Sequence, residues 1–218
     1  MANVIKLRKG LDVNLKGKAA KEEFQVKKPA VYALMPDDFT GMKPKVVVKE
    51  NDVVKVGDAL FVDKNHPEIK FVSPVSGRVT MVERGDRRKV LSVRVEADAE
   101  LQYVDFGKKS AGQMTAQEVK ALLLESGLFA FFKQRPYDVT ANPTDTPKAI
   151  FVSAFNSMPL AAAFEYVLRG READFQAGLD ALAKMAKTYL GVSSKQTATA
   201  LTAAKNVEIN FFDGPAPA

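Results

Sequence analysis

Val48-Lys-Glu-Asn-Asp-Val-Val-Lys-Val-Gly57-Asp58-Ala-Leu60-Phe61, followed by Ser73-Pro74-Val75-Ser76-Gly77-Arg78-Val79, sets the reading of the first half of this chain. Each piece places a tight, glycine-containing turn between β-branched or apolar runs, and glycine lets the chain reverse where a side chain would clash. The flanking sequence has the same texture. Residues 31–35 are an apolar run that stops at Pro36-Asp37-Asp38, and residues 45–49 enclose Val46, Val47 and Val48. Further short runs occupy 59–63, 69–73, 77–82 and 89–95, the last alternating Leu91, Val93 and Val95 with Ser92, Arg94 and Glu96. Strands this short and closely spaced predict an antiparallel barrel or sandwich over residues 1–110.

The order strand, Gly-Asp turn, strand, Pro-x-Ser-Gly, strand resembles biotinyl and lipoyl domains and implies a barrel-sandwich hybrid. Such carriers hold their attachment lysine at a hairpin tip roughly ten residues after the Gly-Asp turn. Here that position is Pro67, beside His66, and Lys64 and Lys70 flank it out of register. No covalent biotin or lipoate is therefore expected. A carrier or adaptor module without a clear attachment lysine is the alternative reading of the chain.

Beyond residue 110 the period changes. Thr115-Ala-Gln-Glu118 is a capping box opening a helix that carries Val119, Leu122 and Leu123, and Gly127 is placed to stop it. Residues 149–153 read as a buried strand. Pro159 opens a helix predicted to run to Leu168, and a second helix is predicted over 172–190. A short helix over 194–204 and a strand over 207–212 close the series, while the proline-rich residues 136–147 read as loop. Strand, helix, helix, strand is an α/β pattern with parallel strands, so residues 111–218 are expected to form a Rossmann-like domain.

Composition removes whole classes of function. The 218 residues include no cysteine, which excludes disulfides and cysteine-held zinc or iron–sulfur centres, and the single histidine, His66, argues against His-cluster metal sites and a conventional Ser-His-Asp triad. No metal site and no catalytic residue is expected in this chain. No run approaches the 18 apolar residues of a membrane span, and no signal-peptide pattern is present, so a cytoplasmic protein is expected. The net charge of +6 lies entirely in residues 1–110, where 22 lysines and arginines face 16 acids. Lys6, Arg8 and Lys9 open that basic stretch and are candidates for facing a membrane or an acidic partner. Without tryptophan or interleaved aromatics, no nucleic-acid partner is expected.

Five stretches, in order, carry a wider resemblance: Ile5-Lys6-Leu7-Arg8-Lys9-Gly10-Leu11-Asp12; Val56-Gly57-Asp58-Ala59-Leu60-Phe61-Val62-Asp63-Lys64; Phe71-Val72-Ser73-Pro74-Val75-Ser76-Gly77-Arg78-Val79; Ser126-Gly127-Leu128-Phe129 with Arg135-Pro136-Tyr137; and Ala149-Ile150-Phe151-Val152-Ser153-Ala154 with Pro159-Leu160-Ala161-Ala162. Together they resemble the A-subunit family of the bacterial sodium-translocating NADH:quinone oxidoreductase, and more distantly the C subunit of Rnf complexes and the flavin subunit of respiratory complex I. That family's chains are longer, so the resemblance makes this sequence, ending at Asp213-Gly-Pro-Ala-Pro-Ala218, an N-terminal part. It implies a peripheral subunit on the cytoplasmic side of the bacterial inner membrane, inactive alone, docked on membrane-embedded and other subunits that carry the flavins and iron–sulfur centres. Quinone is the substrate of the whole complex.

In the flavin-binding relatives a glycine-rich loop after the first helix holds the cofactor by backbone amides. The matching stretch, Gly127-Leu-Phe-Ala-Phe-Phe-Lys-Gln-Arg-Pro, keeps one glycine, so no cofactor is expected in this chain. The resemblance points instead to quinone contact, with Phe129, Phe131, Phe132 and Tyr137 lining an apolar slot and Lys133 or Arg135 donating to a quinone carbonyl. Read from spacing alone, the phenylalanines are core filling under the α/β sheet and Arg135 caps a helix end.

Overall fold

The computed structural model describes residues 4–13, 15–17 and 20–215. It divides into two compact units that do not follow a single cut at residue 110. One holds Val26–Lys108 and Lys120–Thr146; the other holds the described residues up to Gln25, Lys109–Val119 and those from Pro147 on. The first strand, β1 (Val4–Lys6), belongs to the second unit and is described with it. The last three residues of the chain lie outside the described residues.

The barrel unit is built from β2 (Val31–Leu34), β3 (Pro44–Val46), β4 (Val53–Val54), β5 (Ala59–Asp63), β6 (Lys70–Val72), β7 (Gly77–Arg84) and β8 (Val90–Ala97). They form two antiparallel sheets, β2-β8-β7-β4 and β3-β5-β6. Leu60, Phe61, Phe71, Val79, Val93 and Val95 fill the space between them. The two opening motifs bind each other. Gly57 N–H donates to the Ser73 carbonyl at 3.0 Å, and Ser73 N–H returns a bond to the Asp58 carbonyl at 2.8 Å. Val79 and the Asn51-Asp52 turn are joined by a similar pair, each 2.8 Å. These reciprocal bonds tie the turns into the hybrid barrel expected from the sequence. The alternation expected along β8 is broken at one place. Ser92 is buried, and its hydroxyl donates to Glu83 at 2.8 Å, in a pairing whose register shifts at Val79/Met81 and at Glu83/Arg84.

The second unit carries a four-stranded parallel sheet in the order β1-β13-β12-β11, where β11 is Ala149–Ala154, β12 is Lys187–Ser193 and β13 is Glu208–Asp213. Val4, Ile5 and Lys6 pair in parallel with Phe211, Phe212 and Asp213, so the N-terminal strand leaves the barrel half of the sequence and edges this sheet. One face buries Ala154, Leu190 and Val192 against Leu179 of α3 (Glu172–Met185) and Leu201 of α4 (Thr199–Thr202).

Three sequence expectations are corrected here. The helix expected from Pro159 to Leu168 is only α2 (Phe164–Val167), because Leu160 takes a left-handed φ of +61° and Asn156 Oδ1 holds a turn by accepting from Met158 N–H. The helix expected over 172–190 stops at Met185. Ala186 is extended, and Thr188, Leu190 and Val192 alternate inward as the buried strand β12. The expected loop 136–147 contains a short strand, β10 (Val139–Thr140), antiparallel to β9 (Lys133–Gln134).

The capping box forms as read. At the start of α1 (Ala116–Glu125), Thr115 Oγ1 accepts from Glu118 N–H at 3.3 Å, and Glu118 Oε2 accepts from Thr115 N–H at 2.9 Å. The Thr115 amide and Lys109 ammonium, 3.1 Å away, hold the Glu118 carboxyl down to about 2.

Candidate functional site

The segment after α1 is shaped by Gly127. Its φ of +75° stops the helix, and a 3-10 turn over Leu128–Phe131 follows. A 3-10 turn eclipses side chains three apart. Phe129 and Phe132 therefore share a side, stacked with ring centroids 5.5 Å apart, and both pack on the barrel core containing Phe61 and Phe71. They are core residues of the barrel unit, not filling beneath the parallel sheet. Phe129 is 4% exposed.

Phe131 points the other way and is 70% exposed, touching only the edge of Phe39 among the aromatic rings of the described residues, at 6.2 Å between centroids. The hairpin of β9 and β10 then presents the remaining candidates. Lys133 Nζ lies 3.6 Å from Asp138 Oδ2, and Arg135 Nη1 lies 3.4 Å from Asp138 Oδ1. Tyr137, at the hairpin tip after the cis Arg135-Pro136 bond, is 77% exposed. Arg135 caps no helix. The segment thus carries two exposed aromatic side chains, Phe131 and Tyr137, and two cations that share one carboxylate. An exposed aromatic can stack on a planar ring, and cations can donate to oxygens at such a ring's edge.

The other sequence candidates lie apart. Lys6 ends edge strand β1, with Arg8 and Lys9 beyond it, all exposed. Pro67 sits exposed on the β5–β6 turn, where Asp63 Oδ1 accepts from Lys43 and Asn65 N–H, and His66 Nδ1 is 3.8 Å from Glu68. No group of three or more metal-ligating His, Cys, Asp or Glu side chains occurs among the described residues. No helix among them is long and apolar enough to cross a membrane.

Sequence reasoning passed over three features. Phe151, 76% exposed, stacks on Tyr189 at 5.2 Å on the face of the parallel sheet opposite its core; a lone aromatic in an aliphatic strand was the available signal. An open depression of about 460 Å³ is lined by Ala183, Ala186, Lys187, Thr188, Val207 and Glu208. It lies at the amino ends of β12 and β13, whereas ligands of open α/β sheets bind at the carboxyl ends. Lys21 and Glu23 bind α2 and its flank through Glu165 at 3.0 Å and Arg169 at 3.7 Å, and the Lys21 ammonium lowers the Glu165 carboxyl.

Comparison with known proteins gives two matches that together cover most of the chain. Residues 5–98 match the model of the NqrA N-terminal barrel-sandwich hybrid domain, and residues 114–218 match that of the NqrA second alpha/beta domain. Each of the following curated relatives carries the name of the A-type subunit of the Na(+)-translocating NADH-quinone reductase. The protein of Vibrio vulnificus strain YJ016 is 36% identical over 218 residues, covering 99% of this chain and 49% of the relative. That of Yersinia pestis is 35% identical over 221 residues with the same coverage. That of Pseudomonas aeruginosa strain UCBPP-PA14 is 34% identical over 219 residues, covering 99% and 48%. The chain spans about half the length of the curated relatives it matches.

Proposed function

From a chain that belongs, through both of its matched domains, to the NqrA family of the Na(+)-translocating NADH-quinone reductase, we propose a peripheral subunit that holds no cofactor and contacts quinone. The observation carrying this reading is the exposure of Phe131 and Tyr137 on the same short segment as the exposed cations Lys133 and Arg135, a segment otherwise held to the barrel by Phe129 and Phe132. Phe131 and Tyr137 offer the ring its apolar contact. Lys133 and Arg135 donate to a carbonyl oxygen as reduction builds negative charge on it, while Asp138, 3.6 and 3.4 Å from the two cations, holds them near each other. The electrons come from flavins and iron–sulfur centres in partner subunits, and sodium export belongs to the assembled complex.

Photo-crosslinking with an azido-quinone, competed by unlabelled quinone, tests the contact. Competable label is expected within residues 127–137. The pair Phe131→Ala and Tyr137→Ala should reduce it at least tenfold while moving stability by no more than about 0.5 kcal/mol, because both side chains are exposed. Label that is not competable, or that the double variant leaves unchanged, would assign the segment to scaffold alone.

The basic residues at the end of β1 are proposed to face anionic headgroups or the membrane-embedded subunits. Binding to anionic vesicles should weaken with salt, and neutralising Lys6, Arg8 and Lys9 together should flatten that dependence. An unchanged salt slope would remove these three residues from the interface.

A further inference from the structure

The turn joining β7 to β8 is Asp86-Arg87-Arg88-Lys89. Lys89 N–H donates to the Asp86 carbonyl at 3.1 Å, Gly85 N–H donates to the Lys89 carbonyl at 2.8 Å, and the two central residues have φ of +52° and +61°. This is a mirror-image two-residue turn. Its twist suits a hairpin, but its central positions favour Asn and Gly, because a Cβ there crowds the backbone. Two adjacent arginines occupy them instead.

The local surroundings give no reason for arginine. Lys89 is taken by Asp37 at 2.7 Å, and Glu83 is held by Ser92 and by Arg94 at 2.7 Å. Arg84 Nη1 donates to the Arg88 carbonyl at 3.3 Å. Among the described residues no ion pair engages the guanidinium of Arg84, Arg87 or Arg88. Asp86 is the one acid within the tip itself. Strain kept where ordinary turn chemistry would relieve it marks side chains that are needed for something else.

We propose that this tip is a docking point for a protein surface that presents paired carboxylates. Guanidinium forks match carboxylate geometry, are weakly hydrated, and suit protein interfaces better than ammonium groups. The eight-residue strands β7 and β8 hold the backbone of the tip in place, so binding orders only the arginine side chains. A lipid surface is served by larger basic clusters with apolar anchors, and residues 84–89 contain no apolar side chain. The inference stands on the turn alone and goes beyond the quinone reading.

The test is an NMR titration of the full chain with a synthetic Gly-Asp-Glu-Glu-Asp-Gly peptide, with inorganic phosphate and phosphatidylglycerol-containing vesicles as comparators at matched ionic strength. Peptide shifts are expected to concentrate on Gly85–Lys89 and on the side-chain signals of the three arginines. Arg87→Asn with Arg88→Gly should raise the thermal midpoint by about 2–6 °C, as the strain is relieved, and lower peptide affinity at least fivefold. Arg87→Lys with Arg88→Lys should keep the charge and still lose at least twofold. Shifts spread evenly over surface lysines, undiminished binding by the Asn-Gly variant, or a midpoint that falls in it would overturn the proposal. Tip-dependent binding that phosphate matches would make this a simple anion site, and tip-dependent vesicle binding a lipid contact; either replaces the carboxylate partner.

Discussion

Gly77→Ala should leave the barrel unit unfolded. A Cβ at Gly77 would sit 1.8 Å from the Glu96 carbonyl oxygen and 3.2 Å from Ala97 Cα, and the residue's φ of +152° is one that side-chain-bearing residues avoid. The obstructing atoms are backbone, so no rotamer change relieves them. Nor can β8 retreat, because β7 pairs with it on one edge and β2 on the other. Val79, Val93 and Val95, all buried, depend on that register. The expected loss exceeds about 4 kcal/mol, comparable to the whole stability of a domain at the lower end of the usual range of about 5–15 kcal/mol. Gly107→Ala is the matched control. Its φ is +76° with nothing within 4 Å of the added atom, so it should cost only about 1 kcal/mol of backbone strain. Far-UV circular dichroism melts of both variants check the pair. A Gly77→Ala protein melting as Gly107→Ala does would mean that the two strands can separate without losing the fold.

The barrel was legible because its strands are short β-branched runs cut by turn residues, and because Gly57 and Gly77 sit where the backbone reverses. The parallel sheet was legible in kind and not in extent. Leu182, Met185 and Ala186 continue a helical stripe toward Tyr189, while Thr188, Leu190 and Val192 already alternate as a strand, so residues 182–192 satisfy both periods. Only burial against Leu179 and Leu201 decides for β12. β1 is three residues long, and its partner, β13, lies at the other end of the chain; no local pattern specifies that pairing. The aromatic segment shows the same limit at the level of a site. Phe129, Phe131 and Phe132 are equivalent as letters, and the 3-10 turn alone sends one outward and two inward. Arg87 and Arg88 likewise read as an ordinary polar connection until their backbone angles are known.

Gly127→Ala should uncouple that aromatic segment from the barrel. The added Cβ would meet Val72 Cγ1 at 2.5 Å, Cγ2 at 2.9 Å and the Lys70 carbonyl at 3.2 Å, and the left-handed φ of +75° adds its own strain. The two effects separate by substitution. Val72 is a side chain on β6, so Val72→Ala in the same protein removes the two shortest contacts and leaves the 3.2 Å approach to the Lys70 carbonyl and the backbone strain, the strain being worth about 1 kcal/mol. Gly127→Ala by itself should cost about 2–4 kcal/mol. The double variant should recover at least half of that beyond what additivity allows, since the two positions touch. The position of the turn also sets Phe131. Azido-quinone labelling of residues 127–137 should therefore fall in Gly127→Ala and return in the double variant, in parallel with the melting temperature. Labelling that survives Gly127→Ala would show that Phe131 and Tyr137 do not depend on the barrel for their placement, and the contact would then rest on the β9–β10 hairpin alone.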